Sequence, residues 1–240
     1  MNMDFQNKVA VITGASRGLG KEIAILLAEQ KAKLALVSRS ENELNKVKEE
    51  IGPNAEYFVC DISNSKAVEK TIVEIHQKFG KIDILINNAG IWFEGLAEKH
   101  PPEKVKELFD VITLGTIYVT TSVLPILKKQ AEGQILNVVS VAGIETPGAE
   151  MGPYSPYTAA KYAVTGFTKS LEEELKGTKI KVMGIYPGGM NTPLFKKAGF
   201  DYTENENWMM DKKDVAKIIL FMLSQPKDVI IDHLVVRKFS

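Results

Sequence analysis

The stretch PYSPYTAAKYAV, residues 153 to 164, places the second of its three tyrosines, Tyr157, four residues before Lys161. Ser155 suits the N-cap of a helix and Pro156 its first position, so Tyr157 and Lys161 are predicted to lie one turn apart on the same face. A neighbouring cation and a helix amino terminus both favour the phenolate, which predicts a lowered tyrosine pKa and makes general acid–base chemistry feasible. The alternative is a partly buried tyrosine that only packs.

A second candidate segment is glycine-rich: TGASRGLG, residues 13 to 20, joins a predicted strand to a predicted helix. Gly14, Gly18 and Gly20 permit a tight turn and a close backbone approach, and the free N–H groups at the helix start suit a pyrophosphate. The alternative is a glycine-rich turn that binds no ligand.

The rest of the chain predicts the scaffold that must position these segments. Short β-branched runs alternate with stretches of helical periodicity, which is typical of parallel strands buried on both faces. The predicted fold is α/β, a single Rossmann-type doubly wound parallel sheet of about seven strands flanked by helices, in one domain over residues 1–240. The predicted strands cover residues 8–13, 34–37, 57–59, 82–86, 134–140, 181–186 and 229–236, and the predicted helices 18–30, 41–51, 66–79, 103–129, 156–175 and 211–224.

Composition and charge argue against several other kinds of protein. Thirty basic residues balance thirty acidic ones, so no nucleic-acid or membrane partner held by long-range charge is expected. The start of the chain lacks the apolar run of a signal peptide, and the most apolar helical stretch, residues 218–223, is too short to span a bilayer. The single Cys60 has no partner in the chain, so a cytoplasmic setting is predicted. The three histidines, His76, His100 and His233, are far apart in sequence, and no metal site is expected.

The order of these motifs resembles that of the short-chain dehydrogenase/reductase family. The shared features are the glycine spacing, Asp61 after the third strand, NNAG at residues 87–90, Ser140 closing the fifth strand, Tyr157 with Lys161, and PGGMNT at residues 187–192. The resemblance covers nearly the whole chain. It implies an oxidoreductase that uses a nicotinamide cofactor.

The resemblance also implies a role for each motif. Ser140 would bind the substrate oxygen, Tyr157 would pass it a proton during reduction, and Lys161 would also hold the nicotinamide ribose, while the hydride comes from the cofactor. The residues implied in cofactor binding are Gly14, Ser16, Arg17, Gly18, Leu19, Gly20, Ser38, Arg39, Asp61, Ile62, Asn87, Ala89, Gly90, Tyr157, Lys161, Pro187, Gly188, Met190 and Thr192.

Two features depart from the family pattern. Ser140 and Tyr157 are farther apart than usual, which predicts a longer loop between them. Thr113 stands where the family usually has an asparagine that bends a long helix and links the lysine to a proton relay. A hydroxyl has no amide carbonyl, so Thr113 is expected to serve only in part, and Thr113→Asn is expected to leave kcat unchanged or to raise it.

A function outside enzyme catalysis is the alternative to an oxidoreductase. The protein would then be a regulator that binds NADP(H) without turnover.

The second strand predicts which nicotinamide cofactor binds. It ends at Ser38 and Arg39, without the carboxylate that would bind the ribose 2′-hydroxyl of NAD. Arg17 and Arg39 could hold a 2′-phosphate through charge-assisted hydrogen bonds, which predicts NADP(H). The alternative is that both arginines are simply solvated.

The substrate is predicted to be a small carbonyl compound or its alcohol. The least periodic stretches, residues 143–154 and 187–207, follow strands and are predicted to form pocket walls. Reduction of a 3-oxoacyl thioester on acyl carrier protein is the alternative, although the run of Glu172, Glu173 and Glu174 would repel an acidic carrier if exposed. By resemblance, a homodimer or homotetramer through the two long helices is expected. Apolar residues in or near the predicted walls are Trp92, Phe93, Met151, Met190, Leu194 and Phe195.

Overall fold

Seven parallel strands form one sheet in the computed structural model, which describes residues 5–146, 153–199 and 207–239. The strand order is β3-β2-β1-β4-β5-β6-β7, with helices on both faces, so the predicted doubly wound sheet is confirmed. The strands are β1 (Val9–Thr13), β2 (Lys33–Ser38), β3 (Ala55–Val59), β4 (Ile84–Asn87), β5 (Gly133–Val138), β6 (Ile180–Pro187) and β7 (His233–Val236).

The central strands owe their position to uninterrupted apolar sequence. Every residue of β1, VAVIT, is buried, and β1 pairs with β2 on one side and β4 on the other. The sheet order reverses direction between β1 and β4, and in open α/β sheets the crevice at such a reversal binds ligands. β7 begins at His233, later than predicted, since Val229 and Ile230 are exposed and lie outside the sheet.

The helices follow the predicted pattern with small shifts at their ends. Asn64 caps α3 by accepting a hydrogen bond from the N–H of Ala67, and Asp211 caps α8 by accepting one from Lys213. The helices are α1 (Gly18–Glu29), α2 (Glu41–Ile51), α3 (Ser65–Phe79), α4 (Pro102–Leu108), α5 (Gly115–Gln130), α6 (Ser155–Glu174), α7 (Leu194–Lys197) and α8 (Lys212–Leu223).

The predicted single helix over residues 103–129 is interrupted. A π-helical segment, Phe109–Leu114, separates α4 from α5 and contains Thr113. Such π-helical turns are rare and are frequently found at functional sites. Gly115, the first residue of α5, allows Ile62 to pack closely against the helix, because a Cβ on Gly115 would lie 2.7 Å from Cδ1 of Ile62.

The whole helical stretch Pro102–Gln130 is long and apolar enough to cross a membrane, judged by length and composition alone. The prediction that the most apolar helical stretch is residues 218–223, too short to span a bilayer, is therefore wrong. Half of the most apolar part of this stretch is buried. Its neighbours include α3 and α6, as expected of a helix in the protein core.

Candidate active site

A cavity of about 700 Å³ opens at the carboxyl edge of the sheet, within the size range of small-molecule sites. Its wall includes the tip of the glycine loop and the residues that follow β2, β3, β4, β5 and β6. Of the residues predicted for the site, those that line it are Gly14, Ser16, Arg17, Gly18, Leu19, Ser38, Arg39, Asp61, Ile62, Ala89, Gly90, Ser140, Tyr157, Lys161, Pro187, Gly188, Met190 and Thr192.

Asn88 fastens the glycine loop to the end of β4. Its side-chain amide donates to the carbonyl oxygens of Thr13 (2.9 Å) and Gly14 (3.3 Å). In return, the Thr13 hydroxyl accepts hydrogen bonds from the backbone N–H groups of Asn88 and Ala89, at 3.0 and 3.1 Å. Gly20 is required for this contact, since a Cβ there would lie 2.4 Å from the Gly14 carbonyl oxygen.

Two residues predicted to bind the cofactor lie outside the cavity wall. Asn87 points into the protein, where its amide donates to Thr120 Oγ1 and Asn137 Oδ1, both at 2.8 Å. The neighbouring Asn88 lines the cavity instead of Asn87. The motif NNAG alone does not show which of its two asparagines does so. Gly20 packs behind the loop.

The glycine loop fits the pyrophosphate of a dinucleotide. Gly14 and Gly18 have φ values of 66° and 56°, which favour glycine, and a Cβ on Gly14 would lie 2.9 Å from the Ala89 Cα. The amino terminus of α1 has no side-chain cap and no acidic residue in its first turn. Its backbone N–H groups therefore suit an anion.

Tyr157 and Lys161 lie side by side in the first two turns of α6, and each is only 6% exposed. The Lys161 ammonium lies 5.8 Å from the centroid of the Tyr157 ring and donates a hydrogen bond of 3.2 Å to the Val138 carbonyl oxygen. Ser155 does not cap the helix as predicted, because the helix already begins there and the residue before it, Tyr154, makes no side-chain cap.

Burial shifts both groups away from their charged forms. It raises the pKa of the Tyr157 phenol, and a hydrogen bond with the Ser140 hydroxyl offsets this only in part, so the predicted lowering is wrong. Desolvation of the buried phenol is the largest cause of this rise. Burial also lowers the pKa of Lys161 to about 8.

Ser140 is held at the start of a short 3₁₀ turn, Val141–Gly143, where its Oγ accepts a hydrogen bond from the Ala142 N–H at 3.2 Å. This turn is tied to α6, because the Thr165 hydroxyl donates to the Gly143 carbonyl oxygen at 2.8 Å. Ser140 thus faces the cavity in a fixed relation to Tyr157. Much of the longer loop between them, residues 147–152, lies outside the described residues.

Thr113 does not line the cavity. Its hydroxyl donates a hydrogen bond of 3.1 Å to the Ala160 carbonyl oxygen, in the turn of α6 between Tyr157 and Lys161. The structure thus makes Thr113 a positioning residue that joins the π-helical segment to α6. It does not place the hydroxyl against the Lys161 ammonium.

The two arginines at the cavity both face carboxylates. Arg17 Nη1 donates to both oxygens of Glu43, at 2.8 and 3.2 Å, and Arg39 Nη1 lies 4.0 Å from Asp61 Oδ2. Arg17 is therefore paired, whereas Arg39, with 56% of its side chain exposed, lies at the outer limit of an ion-pair distance. Both remain partly exposed on the wall that follows β1 and β2.

Aromatic rings line the cavity around Tyr157, and sequence reasoning found only part of this group. Trp92 contacts Tyr157, Tyr154 and Phe195, with ring centroids 4.5, 4.8 and 5.1 Å apart. Trp208 contacts Phe195 at 5.9 Å. Phe93 packs against His100 outside the wall, and Met151 lies outside the described residues.

One histidine, His233, lies beside two carboxylates, although the three histidines are far apart in sequence. His233 Nε2 lies 3.4 Å from Glu172 Oε2, and possible ligand atoms of Glu172, Asp232 and His233 lie within 4.8 Å of one another. The other ring nitrogen, Nδ1, contacts the Tyr186 hydroxyl at 3.0 Å. These three residues are not part of the cavity wall.

Comparison with known proteins agrees with a dinucleotide-binding oxidoreductase fold. The family model described as short chain dehydrogenase matches residues 8–202. An uncharacterised oxidoreductase of Staphylococcus saprophyticus is 34% identical over 98% of this chain and 99% of its own length. The chain therefore belongs to the short-chain dehydrogenase family of oxidoreductases.

Two solved structures show how close the fold is. An alcohol dehydrogenase from Thermococcus sibiricus, complexed with 5-hydroxy-NADP, superposes with a TM-score of 0.86 at 27% identity, covering 97% of both chains. A 3-ketoacyl-(acyl-carrier-protein) reductase from Brucella melitensis, complexed with NADH, gives a TM-score of 0.87 at 31% identity, also covering 97% of both.

The Thr113 contact predicts an effect on both stability and rate. Thr113→Val removes the donor to Ala160, so we expect the free energy of unfolding to fall by about 1 kcal/mol, and kcat to fall because α6 loses a positioning contact. Thr113→Ser should restore both, and Thr113→Asn should leave kcat unchanged or raise it. Urea unfolding and steady-state kinetics measure this. A fall in stability without any change in kcat would contradict the positioning role.

The buried ammonium of Lys161 predicts a stability that depends on pH. Its pKa is about 8 in the folded protein and near 10.5 when unfolded, so the cost of burying the charge is full below pH 8 and disappears as the pH rises towards 10.5. At pH 7, without nucleotide, Lys161→Met is expected to stabilise the protein by on the order of 1–3 kcal/mol.

Urea unfolding of wild type and Lys161→Met at pH 7, 9 and 10 measures this difference, with exposed Lys129→Met as the matched control. The gain from Lys161→Met should shrink over that range, while the control stays near zero. A gain that is the same at pH 7 and pH 10 would show that the buried charge is not its source.

Proposed function

We propose that this protein is an NADP(H)-dependent reductase that converts a ketone or aldehyde to an alcohol. The observation that carries the proposal is the buried pair of Tyr157 and Lys161 beside Ser140, on the same cavity as the glycine loop. Family membership supports an oxidoreductase, and the choice of carbonyl substrate rests on the chemistry of these side chains.

The bound dinucleotide supplies the hydride in this chemistry. Ser140 donates a hydrogen bond to the carbonyl oxygen and orients it. Because burial raises the pKa of Tyr157, its hydroxyl keeps its proton at neutral pH and can give it to the oxygen as negative charge develops there. Lys161, fixed by the Val138 carbonyl, supplies a positive charge near the phenol and favours the phenolate left behind.

The preference for NADP(H) follows from the charge of the cavity wall at the end of β2. Ser38 and Arg39 stand where a carboxylate would be needed for NAD, and Ser38 donates to the Ser16 hydroxyl at 3.0 Å. Arg17 and Arg39 could exchange their carboxylate partners for a 2′-phosphate. The Thermococcus structure holds a modified NADP, which is compatible with this choice, whereas the Brucella structure holds NADH.

Reduction of a 3-oxoacyl thioester is the second candidate. The likeness to the Brucella reductase supports it. The predicted repulsion of an acidic carrier is weakened, because Glu172, Glu173 and Glu174 each face a basic side chain, namely His233, Lys176 and Lys128. A regulator that binds nucleotide without turnover remains the alternative from another class.

The test of the proposed function is NADPH oxidation with ketones, aldehydes and an acetoacetyl thioester, followed in wild type and Tyr157→Phe. We expect turnover of at least one carbonyl, lowered about a thousandfold in Tyr157→Phe because the proton donor is lost. The reverse oxidation needs the phenolate, so its rate should rise with pH, while reduction stays constant near neutrality. NADPH binding without turnover of any substrate would favour the regulator.

If Arg39 contacts a 2′-phosphate, replacing it should weaken the binding of NADPH more than that of NADH. In Arg39→Gln the Kd for NADPH should rise about tenfold to a hundredfold through loss of a charge-assisted hydrogen bond, while the Kd for NADH changes less than about threefold. Titration calorimetry with both nucleotides measures this. Lys46→Gln, an exposed charge removed from α2, is the matched control. Equal loss for both nucleotides would contradict contact with a 2′-phosphate.

A further inference from the structure

The cavity contains a second recognition surface, which we call the aromatic wall: Trp92, Tyr154, Phe195 and Trp208. It borders Tyr157, and its rings contact one another in tilted or edge-to-face geometry. Such contacts are favourable between aromatic rings beyond the area they bury. A ligand ring seated beside the phenol would meet the same kind of surface.

Trp92 is fixed from both sides. Its indole and the Tyr157 ring pack edge to face with centroids 4.5 Å apart, and its Nε1 donates a hydrogen bond of 3.0 Å to Glu94 Oε2. The hydrogen bond satisfies the polar atom of the indole, which leaves the apolar part of the ring available to the cavity.

Trp208 packs against Gly189, at a distance that leaves no room for a side chain there. A Cβ on Gly189 would lie 2.0 Å from the Trp208 ring, so the indole lies directly on the Gly189 backbone. The Met210 N–H donates to the Gly189 carbonyl oxygen at 2.9 Å, and the Asn191 N–H donates to Met210 at 3.0 Å. These bonds join the residues around Trp208 to the segment after β6.

The charged side chains of the cavity lie mostly away from the aromatic wall. Among the described lining residues only Arg17, Arg39, Asp61 and Lys161 carry charge, and the first three lie where the nucleotide is proposed to bind. Lys161 is buried and donates to the Val138 carbonyl. The described part of the wall near Tyr157 thus offers aromatic surface, and no charged side chain other than Lys161, to a substrate.

We propose that the aromatic wall selects an uncharged carbonyl compound that carries an aromatic ring next to the carbonyl group, an aryl ketone or aryl aldehyde. This rests on the proposed reductase function. The carbonyl carbon takes a hydride from NADPH and the oxygen takes the Tyr157 proton, which gives a benzylic-type alcohol and NADP⁺. The ring of the substrate packs against Trp92 and Trp208.

The test compares acetophenone with cyclohexyl methyl ketone, which has a saturated ring of similar size, and with an acetoacetyl thioester. In wild type we expect kcat/KM for acetophenone to exceed that for the saturated ketone by about tenfold, in line with two favourable ring contacts. In Trp208→Leu this preference should fall to about threefold or less, mainly through KM, while Trp208→Phe keeps most of it.

The matched control is Phe221→Leu, which changes an aromatic residue of similar exposure on α8 (42%, against 39% for Trp208) outside the cavity wall. It should leave the preference unchanged. Equal kcat/KM for the aromatic and the saturated ketone, or a higher value for the thioester, would overturn the aromatic preference and leave the reductase function standing.

Binding can be measured without turnover, because Trp92 and Trp208 are the only two tryptophans of the chain. In Tyr157→Phe saturated with NADP⁺, acetophenone should change tryptophan fluorescence in a saturable way, and the saturated ketone should bind more weakly. A linear, non-saturating change would overturn the inference. Saturable binding with no turnover of any carbonyl by wild type would instead refute the reductase function and leave the aromatic wall as a binding surface for aryl carbonyl compounds.

Discussion

The site depends on one local constraint, the joining of the ends of β1 and β4 where the strand order reverses. The loops after these two strands diverge there, which opens the crevice. The Asn88 amide and the Thr13 hydroxyl bridge its floor with four hydrogen bonds to backbone groups. Because this brings α1 against the loop, Gly20 cannot carry a side chain. The same contact leaves the amino terminus of α1 facing the cavity.

The side of the crevice near Tyr157 is built by fixing α6 to its neighbours. Thr113 contacts the Ala160 carbonyl, Thr165 contacts Gly143, and Lys161 contacts Val138. These bonds link α6 to the π-helical segment, to the turn after β5 and to β5 itself. The relative position of Ser140, Tyr157 and Lys161 is therefore set by backbone carbonyl groups, which keeps the two buried titratable groups in place although burial disfavours their charged forms.

Sequence patterns predicted the sheet and most of the cavity wall, because both depend on local signals: buried strands are apolar runs, and site residues follow strand ends. The choice between Asn87 and Asn88 could not be predicted, since adjacent residues at a strand end point in opposite directions. The pKa of Tyr157 depends on burial by distant segments. The π-helical segment and the aromatic wall likewise arise from contacts between residues far apart in sequence, such as Trp92 and Phe195.

The two ends of the cavity offer different physical interactions. The end near the glycine loop carries Arg17, Arg39, Asp61 and the uncapped amino terminus of α1, so it attracts charged groups through forces that salt screens. The end near Tyr157 carries mainly apolar and aromatic surface, where binding scales with the area removed from water and salt has little effect. Lys161 stands at the boundary. A buried cation there is costly by itself, so it is best tolerated when an anionic partner, such as a developing phenolate, lies beside it.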